Sequence, residues 1–184
     1  PTPTESKRGV EIEHVKALVA SAKAGGKGAR DAFAELVELH QARLVRLMRQ
    51  LLGSEGDDVA QEAFVRAYLA IERAPDDGHF WPWLRTIGTR LAYNHRRDRK
   101  TRKRYEDRVE ISCGAKNVMP ERESIYRVFD KLSYTYREIL VLRYVEELSI
   151  AEIAKSLRLG SSAAKMRLSR AREEFREVHE KLTR

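Results

Sequence analysis

Apolar residues recur at three- and four-residue spacing along most of this chain, and no other feature of the sequence constrains the fold as strongly. The longest stripe consists of Phe33, Leu36, Val37, Leu44, Leu47, Met48, Leu51 and Leu52. This spacing places the apolar side chains on one face of an α-helix. No segment shows the sustained alternation of apolar and polar residues that indicates a half-buried strand. We therefore predict that the chain is all-α.

Turn residues and a break in the periodicity divide the 184 residues into four segments. Residues 1–30 are polar and end in a glycine-rich stretch, so we expect a flexible N-terminal lead with at most one short helix, near residues 10–22. Residues 31–104 predict a first helical domain of three helices. Residues 105–123 lose the apolar periodicity and are interpreted as a flexible linker. Residues 124–184 predict a second small helical domain.

The positive charge of the chain is concentrated in one place. Between Arg85 and Arg104 there are nine Lys or Arg residues against one acidic residue, Asp98. That stretch carries the whole net charge of +8, because the remaining residues contain 27 basic and 27 acidic side chains. Solvated surfaces normally mix charges of both signs, which limits self-repulsion. The block therefore favours binding to nucleic acid, with a basic disordered linker as the alternative.

Several classes of protein are disfavoured by the sequence. No segment approaches the ~18 consecutive apolar residues of a membrane span, and Pro1–Arg8 lacks the apolar core of a secretory signal, so we expect a cytoplasmic protein without membrane insertion. The single cysteine, Cys113, excludes an internal disulfide and is expected to be inert, with a redox role left open. The five histidines are scattered, and no metal-protease spacing, phosphate-binding loop or nucleophile elbow occurs. We predict neither a cofactor nor enzymatic activity.

Residues 149–176 have the pattern of a helix-turn-helix. Ser149 and Glu152 predict a capping box at the start of a short helix, and Arg158-Leu159-Gly160 predicts the turn. The second helix has small polar residues at its outward N-terminal end and basic residues behind them, which suits insertion into the major groove of double-stranded DNA. The side chains expected to contact DNA are Ser161, Ser162, Ala163, Lys165, Met166, Arg167, Ser169, Arg170 and Arg172. An αα-hairpin with a solvated outer face is the alternative.

Five short motifs, in order along the chain, resemble those of the extracytoplasmic-function group of bacterial sigma factors, in which only the second and fourth conserved sigma regions are present. The motifs are Asp31–Leu36, Asp58–Phe64 (D-x-x-Q-E-x-F), Phe80–Leu84 (F-x-x-W-L), Phe129–Leu132 with Arg137–Tyr144, and Ile153-Ala154 with Lys165–Arg172. The match covers roughly residues 31–104 and 125–180. The resemblance implies a region 2 helical bundle and a region 4 helix-turn-helix, in agreement with the two predicted domains.

The resemblance implies a protein interface on the helix that carries the D-x-x-Q-E-x-F motif. In the family this helix docks on the clamp helices of the RNA polymerase β′ subunit, which assigns core binding to Asp58, Gln61 and Glu62. A contact between region 4 and the β flap is implied for the second domain. The residues are consistent with the first of these roles, since all three lie mainly off the apolar stripe. An acidic first turn that suits the helix dipole is the alternative, but it accounts for Asp58 alone.

The resemblance also implies contacts with the −10 and −35 elements of a promoter. In the family the loop before F-x-x-W-L captures an extruded −10 base, the following helix holds the separated strand, and the helix-turn-helix reads the −35 element; the loop here is residues 72–79. The residues assigned to −10 binding are Asp76, Asp77, His79, Trp81, Arg85, Arg90, Asn94, Arg96 and Arg97. Single-stranded DNA binding needs an electrostatic track and stacking surfaces. Trp81 is either an exposed stacking platform or part of the core, whereas Phe80 and Trp83 are expected to be mostly core.

The chain departs from the family pattern at four places. Thr89-Arg90 stands where the family often has Arg-Asn, Asn94 replaces an Asp, Ser133 replaces a Pro, and Gly160 occupies the expected N-cap of the recognition helix. A glycine N-cap costs only a few tenths of a kcal/mol relative to serine. The departures bear on the −10 and −35 sequence preferences, and none affects the expected fold.

The sequence therefore predicts an alternative RNA polymerase sigma factor that binds core polymerase, recognises −35 and −10 promoter elements and promotes DNA melting. The resemblance further implies an anti-sigma factor as a partner. A stand-alone helix-turn-helix regulator with an all-α sensor lobe is the alternative. The two differ in the first domain, because a sensor lobe does not need a polymerase-docking helix beside a strongly basic one.

Overall fold

The computed structural model describes residues 3–105 and 127–183, with side chains over residues 10–98 and 127–182. Every regular element in these ranges is helical, which confirms the predicted fold class. The α-helices are α1 (Pro3–Ala24), α2 (Ala29–Leu52), α3 (Gly56–Leu69), α4 (Phe80–Tyr105), α5 (described over 127–131), α6 (Tyr134–Tyr144), α7 (Ile150–Leu157) and α8 (Ser161–Thr183), with short 3-10 turns at Gly53–Glu55 and Ile71–Arg73. They belong to two compact units, the first within Pro1–Arg99 and the second within Lys100–Arg184.

The core of the first unit is organised around α2. Its predicted apolar stripe is buried, including Leu36, Leu44, Leu47, Met48 and Leu51. α1 and α3 both pack against this helix, and α4 adds buried side chains that include Phe80, Leu84 and Leu91. Burying a large apolar side chain contributes about 1.5–3 kcal/mol relative to leaving it exposed, so burial of the α2 stripe contributes substantially to the stability of this unit.

α3 begins close to the C-terminal end of α2 because Gly56 has no side chain. A Cβ atom at this position would lie 2.5 Å from the carbonyl carbon of Met48, so the backbone would have to move. Beyond this point the buried face of α3 consists largely of small residues, among them Ala60, Ala63 and Ala67, which allow the two helices to stay close. This packing leaves the opposite face of α3 in solvent.

The N-terminal segment forms a longer helix than the short one expected near residues 10–22. α1 extends over 22 residues, buries Val15, Val19 and Ala22 and packs against α2. His14 also forms a hydrogen bond with Glu35 of α2, with 2.7 Å between Nε2 and Oε1. The three buried residues follow the i, i+4, i+7 spacing of one helix face. Polar residues surround this narrow apolar stripe, so the sequence indicates it only weakly.

The second unit has a separate core built from its own helices. The buried cluster comprises Leu132, Ile139, Leu140, Leu142, Leu148, Ile153, Leu168 and Ala171, and Phe129, Tyr136, Ile150, Leu157, Phe175 and Val178 pack on it partly buried. Arg137 is also buried and pairs with the half-exposed Asp130, with 3.5 Å between Nη2 and Oδ1. α7 is too short to be stable by itself, so its position depends on packing against this cluster and on the hydrogen bonds that cap its two ends.

Parts of the sequence-based prediction lie outside the described residues. These are the expected linker, apart from Tyr105 at the end of α4, and Cys113 within it. The side chains of the basic block from Arg99 onwards also lie outside the described set. Among the helices that the structure describes, none is long and apolar enough to cross a lipid bilayer.

Candidate nucleic-acid and protein interfaces

The end of α7 fixes the direction in which α8 leaves the turn. Arg158 adopts the left-handed conformation, with φ 53° and ψ 45°. The N–H of Leu159 donates to the carbonyl oxygen of Ala154 at 2.8 Å, which is the six-to-one bond of a Schellman motif. α8 then begins at Ser161, so the predicted three-residue turn is confirmed.

The start of α7 is held by the predicted capping box. Ser149 N–H donates to Glu152 Oε2 at 2.8 Å, and Glu152 N–H donates to Ser149 Oγ at 3.3 Å. The turn before it is closed by Arg143, whose Nη1 donates to the carbonyl oxygen of Leu148 at 2.7 Å. These bonds satisfy backbone groups that a short helix otherwise leaves to solvent, and they hold α7 as a support for α8.

α8 buries one face and exposes the other. Ala164, Leu168 and Ala171 are buried. The exposed side chains include all of those assigned to duplex DNA except Arg167: Ser161, Ser162, Ala163, Lys165, Met166, Ser169, Arg170 and Arg172. Small side chains in the first turn leave the backbone accessible to base edges, and Met166, 57% exposed, places an apolar group where it could meet a thymine methyl.

Arg167 lies on a different part of α8, towards α6. It is half-buried, and its positive charge acts on Glu138, a buried carboxyl of α6. Burial raises the pKa of Glu138 to about 7, against the opposing effects of a hydrogen bond from Tyr134 and of Arg167. Arg167 therefore interacts electrostatically with a buried carboxyl of the second unit. Sequence reasoning did not identify Glu138 as a buried carboxyl, because no local pattern distinguishes it from an exposed glutamate.

Arg172 connects the recognition helix to α6. Its Nε donates to the hydroxyl oxygen of Tyr144 at 2.7 Å, and its guanidinium carbon lies 5.7 Å from the centre of the same ring. Both side chains are exposed. Arg172 is therefore oriented before any DNA is present, which reduces the entropy that it would lose on contacting a phosphate.

The outward face of α3 combines charged, polar and apolar side chains. Asp58, Gln61 and Glu62 are exposed, as their assignment to a protein interface requires. Val65 and Leu69 lie on the same face and are 58% and 79% exposed. Sequence reasoning missed these two residues, although their seven- and eleven-residue separation from Asp58 places them on its side of the helix.

One ion pair lies on this face. Arg66 donates to Glu62 Oε1 through Nη2 at 2.6 Å and through Nε at 2.9 Å. Both side chains are about half exposed, and exposed i, i+4 pairs contribute only about 0.3–0.5 kcal/mol. A partner that offers a better acceptor or donor could therefore replace this pair at little cost.

The loop between α3 and α4 exposes the acidic and imidazole side chains that the resemblance assigned to the −10 element. Asp76, Asp77 and His79 are all exposed. Asp77 also shapes the loop, since its Oδ1 accepts from the N–H of His79 at 2.9 Å. That hydrogen bond is the main reason why the pKa of Asp77 is lowered. Gly78 has a φ of +78°, a conformation that other residues rarely adopt.

α4 presents one basic face to solvent. Arg90, Asn94 and Arg97 are exposed and follow one another at four- and three-residue spacing, while Arg96 is half-buried at the side of this face. Arg85 is only 6% exposed and lies on the opposite face, so its assignment to the DNA track was wrong. The reason is geometric, because five residues of α-helix rotate a side chain by about 140° from Arg90.

Trp81 is part of the core, and the hypothesis of an exposed stacking platform is wrong. Its side chain is 8% exposed. The guanidinium carbon of Arg43 lies 4.2 Å from the centre of its ring, and the His40 ring centre lies 6.0 Å away. Phe80 is fully buried, as expected, whereas Trp83 is only half-buried.

Tyr93 is an exposed aromatic side chain beside the basic face, in the part of α4 whose side chains the structure describes. It is 48% exposed and immediately precedes Asn94, three residues after Arg90. Sequence reasoning missed it because a tyrosine within a helix is as often part of the core as it is exposed. An aromatic ring next to basic side chains is the combination that single-stranded nucleic-acid binding uses.

Both units match known family models in the order that their motifs predict. The Sigma-70 region 2 model matches residues 36–102, and the Sigma-70, region 4 model matches residues 122–175. Together they cover most of the surfaces described above, including α3, the loop after it, α4 and the helix-turn-helix.

The chain is also similar to sigma factors over most of its own length and most of theirs. The chain is 33% identical to the ECF RNA polymerase sigma factor SigW of Bacillus subtilis, over 82% of this chain and 90% of SigW. It is 31% identical to the ECF RNA polymerase sigma-E factor of Escherichia coli, over 80% of this chain and 86% of that protein. Such similarity does not favour a stand-alone regulator with a sensor lobe.

Solved structures show the same fold. The sigma factor RpoE of Bartonella quintana, solved with the anti-sigma factor NepR, superimposes with a TM-score of 0.70 at 21% identity, over 79% of this chain and 95% of RpoE. CnrH, solved with the cytosolic domain of CnrY, gives a TM-score of 0.63 at 27% identity, over 90% of this chain and 96% of CnrH. The chain therefore belongs to the extracytoplasmic-function group of the sigma-70 family and is an alternative RNA polymerase sigma factor.

Proposed function

We propose that the outward face of α3 docks on core RNA polymerase, that the 72–79 loop and α4 hold the −10 strand, and that α8 reads the −35 element. The observation that carries the proposal is the α3 face, because a DNA-binding regulator that works without polymerase has no need of it. Sigma factors are not enzymes in the catalytic sense, and the work of this chain on our proposal is binding and strand separation.

The α3 face suits a protein partner because it exposes apolar area beside groups that can form hydrogen bonds. Val65 and Leu69 are apolar and largely in water, and burying such side chains contributes about 25 cal/mol per Å². Gln61 and Glu62 lie beside them with amide and carboxylate groups that can pair with a partner helix. Interfaces of moderate stability commonly combine a small apolar centre with such a polar rim.

The −10 assignment rests on the basic face of α4 and on the adjoining loop. Arg90 and Arg97 could follow phosphates, Tyr93 could stack on a base, and Asn94 could form hydrogen bonds with base edges. Stacking contributes about 1–3 kcal/mol per base, which helps to offset the few kcal/mol needed to extrude a base. Trp81 and Arg85 are excluded from this set because both are buried.

The −35 assignment rests on the outward face of α8. Ser162, Ala163 and Met166 would lie nearest the bases, with Lys165 and Arg170 in reach of bases or phosphates. This face has few basic residues, so we expect modest affinity for duplex DNA when the chain acts alone. Most of the hold on a promoter would then come from polymerase and from the first unit.

An anti-sigma factor is the further partner that we propose. RpoE and CnrH, which share this fold, were solved with an anti-sigma factor and with the cytosolic domain of CnrY, respectively. A protein that covered the α3 face would keep the chain from core polymerase. Because core polymerase is a cytoplasmic enzyme in bacteria, we place the action of the chain in the cytoplasm.

The variant Gln61→Ala with Glu62→Ala tests the α3 assignment. We expect its Kd for bacterial core polymerase to rise about tenfold, because the variant removes contacts at the centre of the proposed interface. Its affinity for duplex DNA should not change, because α8 is untouched. The matched control is Glu38→Ala with Gln41→Ala, an exposed pair of the same residue types on α2. Binding to core is measured by fluorescence anisotropy, and binding to duplex DNA is measured in parallel. Equal loss of both activities would mean that α3 is not the docking helix.

A further inference from the structure

The loop between Ala74 and His79 lies along α1 and touches it at two places. At one end, Nζ of Lys23 donates to the carbonyl oxygen of Ala74 and to Oδ1 of Asp76, both at 2.6 Å. At the other end, Gly78 lies against the backbone of Ile12. Lys23 and Ile12 are eleven residues apart, or about 16 Å along the helix axis, so α1 supports the loop over most of its length.

The Lys23 contact combines an ion pair with a hydrogen bond to the loop backbone. Its side chain is 16% exposed, whereas that of Asp76 is 80% exposed. Removing an ammonium group from water is unfavourable unless its donors are satisfied. The two loop acceptors satisfy the ammonium group of Lys23 and so stabilise its mostly buried position. Charge-assisted hydrogen bonds of this kind are short and about twice as strong as neutral ones.

The Gly78 contact is one of close approach. A Cβ atom at this position would lie 2.5 Å from the carbonyl oxygen of Ile12 and 2.7 Å from its Cγ2. The positive φ of Gly78 also disfavours any other residue there. The loop can therefore lie flat on α1 only with glycine at this point.

The two loop carboxylates have internal partners in this arrangement. Asp76 pairs with Lys23, and Asp77 accepts from the N–H of His79. Both were assigned to base contact from the resemblance, yet each also determines the shape of the loop. The imidazole of His79 is exposed, and its Nδ1 also lies 3.2 Å from the carbonyl oxygen of Asp77, so it too is oriented by the loop.

We infer that α1 is the support that fixes the 74–79 loop for selection of the extruded −10 base, with Lys23 as its positioning residue. The inference rests on the proposed role of this loop. Base selection requires a pocket of defined shape, because hydrogen bonds discriminate between bases only when donors and acceptors are fixed. Without Lys23 the loop would sample more conformations and discriminate less.

Lys23→Met tests this directly, since methionine keeps much of the aliphatic stem and removes the ammonium group. The first measurement is hydrogen exchange of the backbone over residues 72–80 in the full chain, which we expect to become about tenfold faster, the size of effect of one lost charge-assisted hydrogen bond. The second uses holoenzyme, assembled with bacterial core polymerase, and a duplex with a randomised single-stranded segment in its non-template strand. We expect the preference for the selected base to fall about tenfold.

Matched variants separate positioning from general destabilisation. Lys16→Met removes another lysine of α1, which forms an exposed ion pair with Glu13, and it should alter neither measurement. Lys23→Arg keeps a cationic donor and should retain most of the base preference. Gly78→Ala disturbs the other contact and should act in the same direction as Lys23→Met.

The outcomes distinguish failure of the inference about Lys23 from failure of the proposed role of the loop. Unchanged loop exchange in Lys23→Met, or an unchanged base preference in it, overturns the inference while leaving the proposed function in place. If wild-type holoenzyme selects no base in the single-stranded segment, the proposed role of the loop fails, and the inference fails with it.

Discussion

Lys165 is the single residue on which the −35 assignment depends most. It is exposed on the second turn of α8, beside the small side chains that allow the backbone to approach a groove. A basic side chain at such a place can form a bidentate contact with guanine, which contributes about 1–3 kcal/mol of discrimination. It can equally contact a phosphate, which contributes affinity without sequence preference.

Lys165→Ala should therefore lower −35-dependent transcription about tenfold. Run-off transcription is measured with holoenzyme on a selected promoter and on the same promoter with substituted −35 bases. Lys181→Ala, an exposed lysine near the other end of the same helix, is the control and should stay within about twofold of wild type. A loss of equal size on every −35 sequence would show that Lys165 contacts only phosphate.

Single residues were the hardest to assign from the sequence. Trp81 and Arg85 have the chemistry of a DNA contact, yet both are buried, whereas Tyr93 is exposed and was not among the predicted contacts. On one helix, the side chains of neighbouring residues point in directions that differ by about 100°. A small error in the predicted orientation of α4 therefore places a buried side chain on the exposed face, or the reverse. The buried and exposed faces of α8 were predicted correctly apart from the half-buried Arg167, because its small residues and its buried stripe define the orientation on both sides.

At the scale of elements, the close approach of α2 and α3 depends on Gly56. Gly56→Ala places a methyl group against the α2 backbone, where nothing can move aside as a flexible side chain would. We expect the free energy of unfolding of the first unit to fall by about 1–3 kcal/mol, the usual cost of overpacking. Gly28→Ala is the control, because its nearest neighbour, Ser21 Oγ, is 4.0 Å away.

Chemical denaturation followed by tryptophan fluorescence measures this difference, since Trp81 and Trp83 lie in the first unit. We also expect weaker binding to core polymerase in Gly56→Ala, because α3 would shift along with its docking face. Equal stability of Gly56→Ala and Gly28→Ala would show that the α2–α3 approach can relax without cost.

Elements were predicted well where apolar periodicity was strong. The main helices, the capping box of α7 and the three-residue turn before α8 all follow from local sequence. α1 was expected only as a short helix near residues 10–22, because three buried side chains, Val15, Val19 and Ala22, give a weak stripe. Its contacts with the 74–79 loop are separated by more than 50 residues in sequence, and no local pattern indicates them.

At the scale of the whole molecule, the binding surfaces proposed for each unit lie on helices whose opposite faces form its core. In the first unit the α3 face and the α4 face point away from the α2 stripe, and in the second unit the outer face of α8 points away from the buried cluster. This arrangement explains how 184 residues could provide three binding surfaces without a large core. The family and its two regions were predictable because five motifs occur in order, whereas the promoter sequence depends on atomic contacts that those motifs do not specify.

Transcription from a randomised promoter library, with bacterial core polymerase in the presence and absence of the chain, is the most direct measurement of whether it acts as a promoter-specificity subunit. We expect transcripts that require the chain and that begin downstream of a shared pair of −35 and −10 sequences. Gln61→Ala with Glu62→Ala should greatly reduce these transcripts. Tight binding of the chain alone to duplex DNA, with no initiation when core polymerase is added, would contradict a role as a sigma factor.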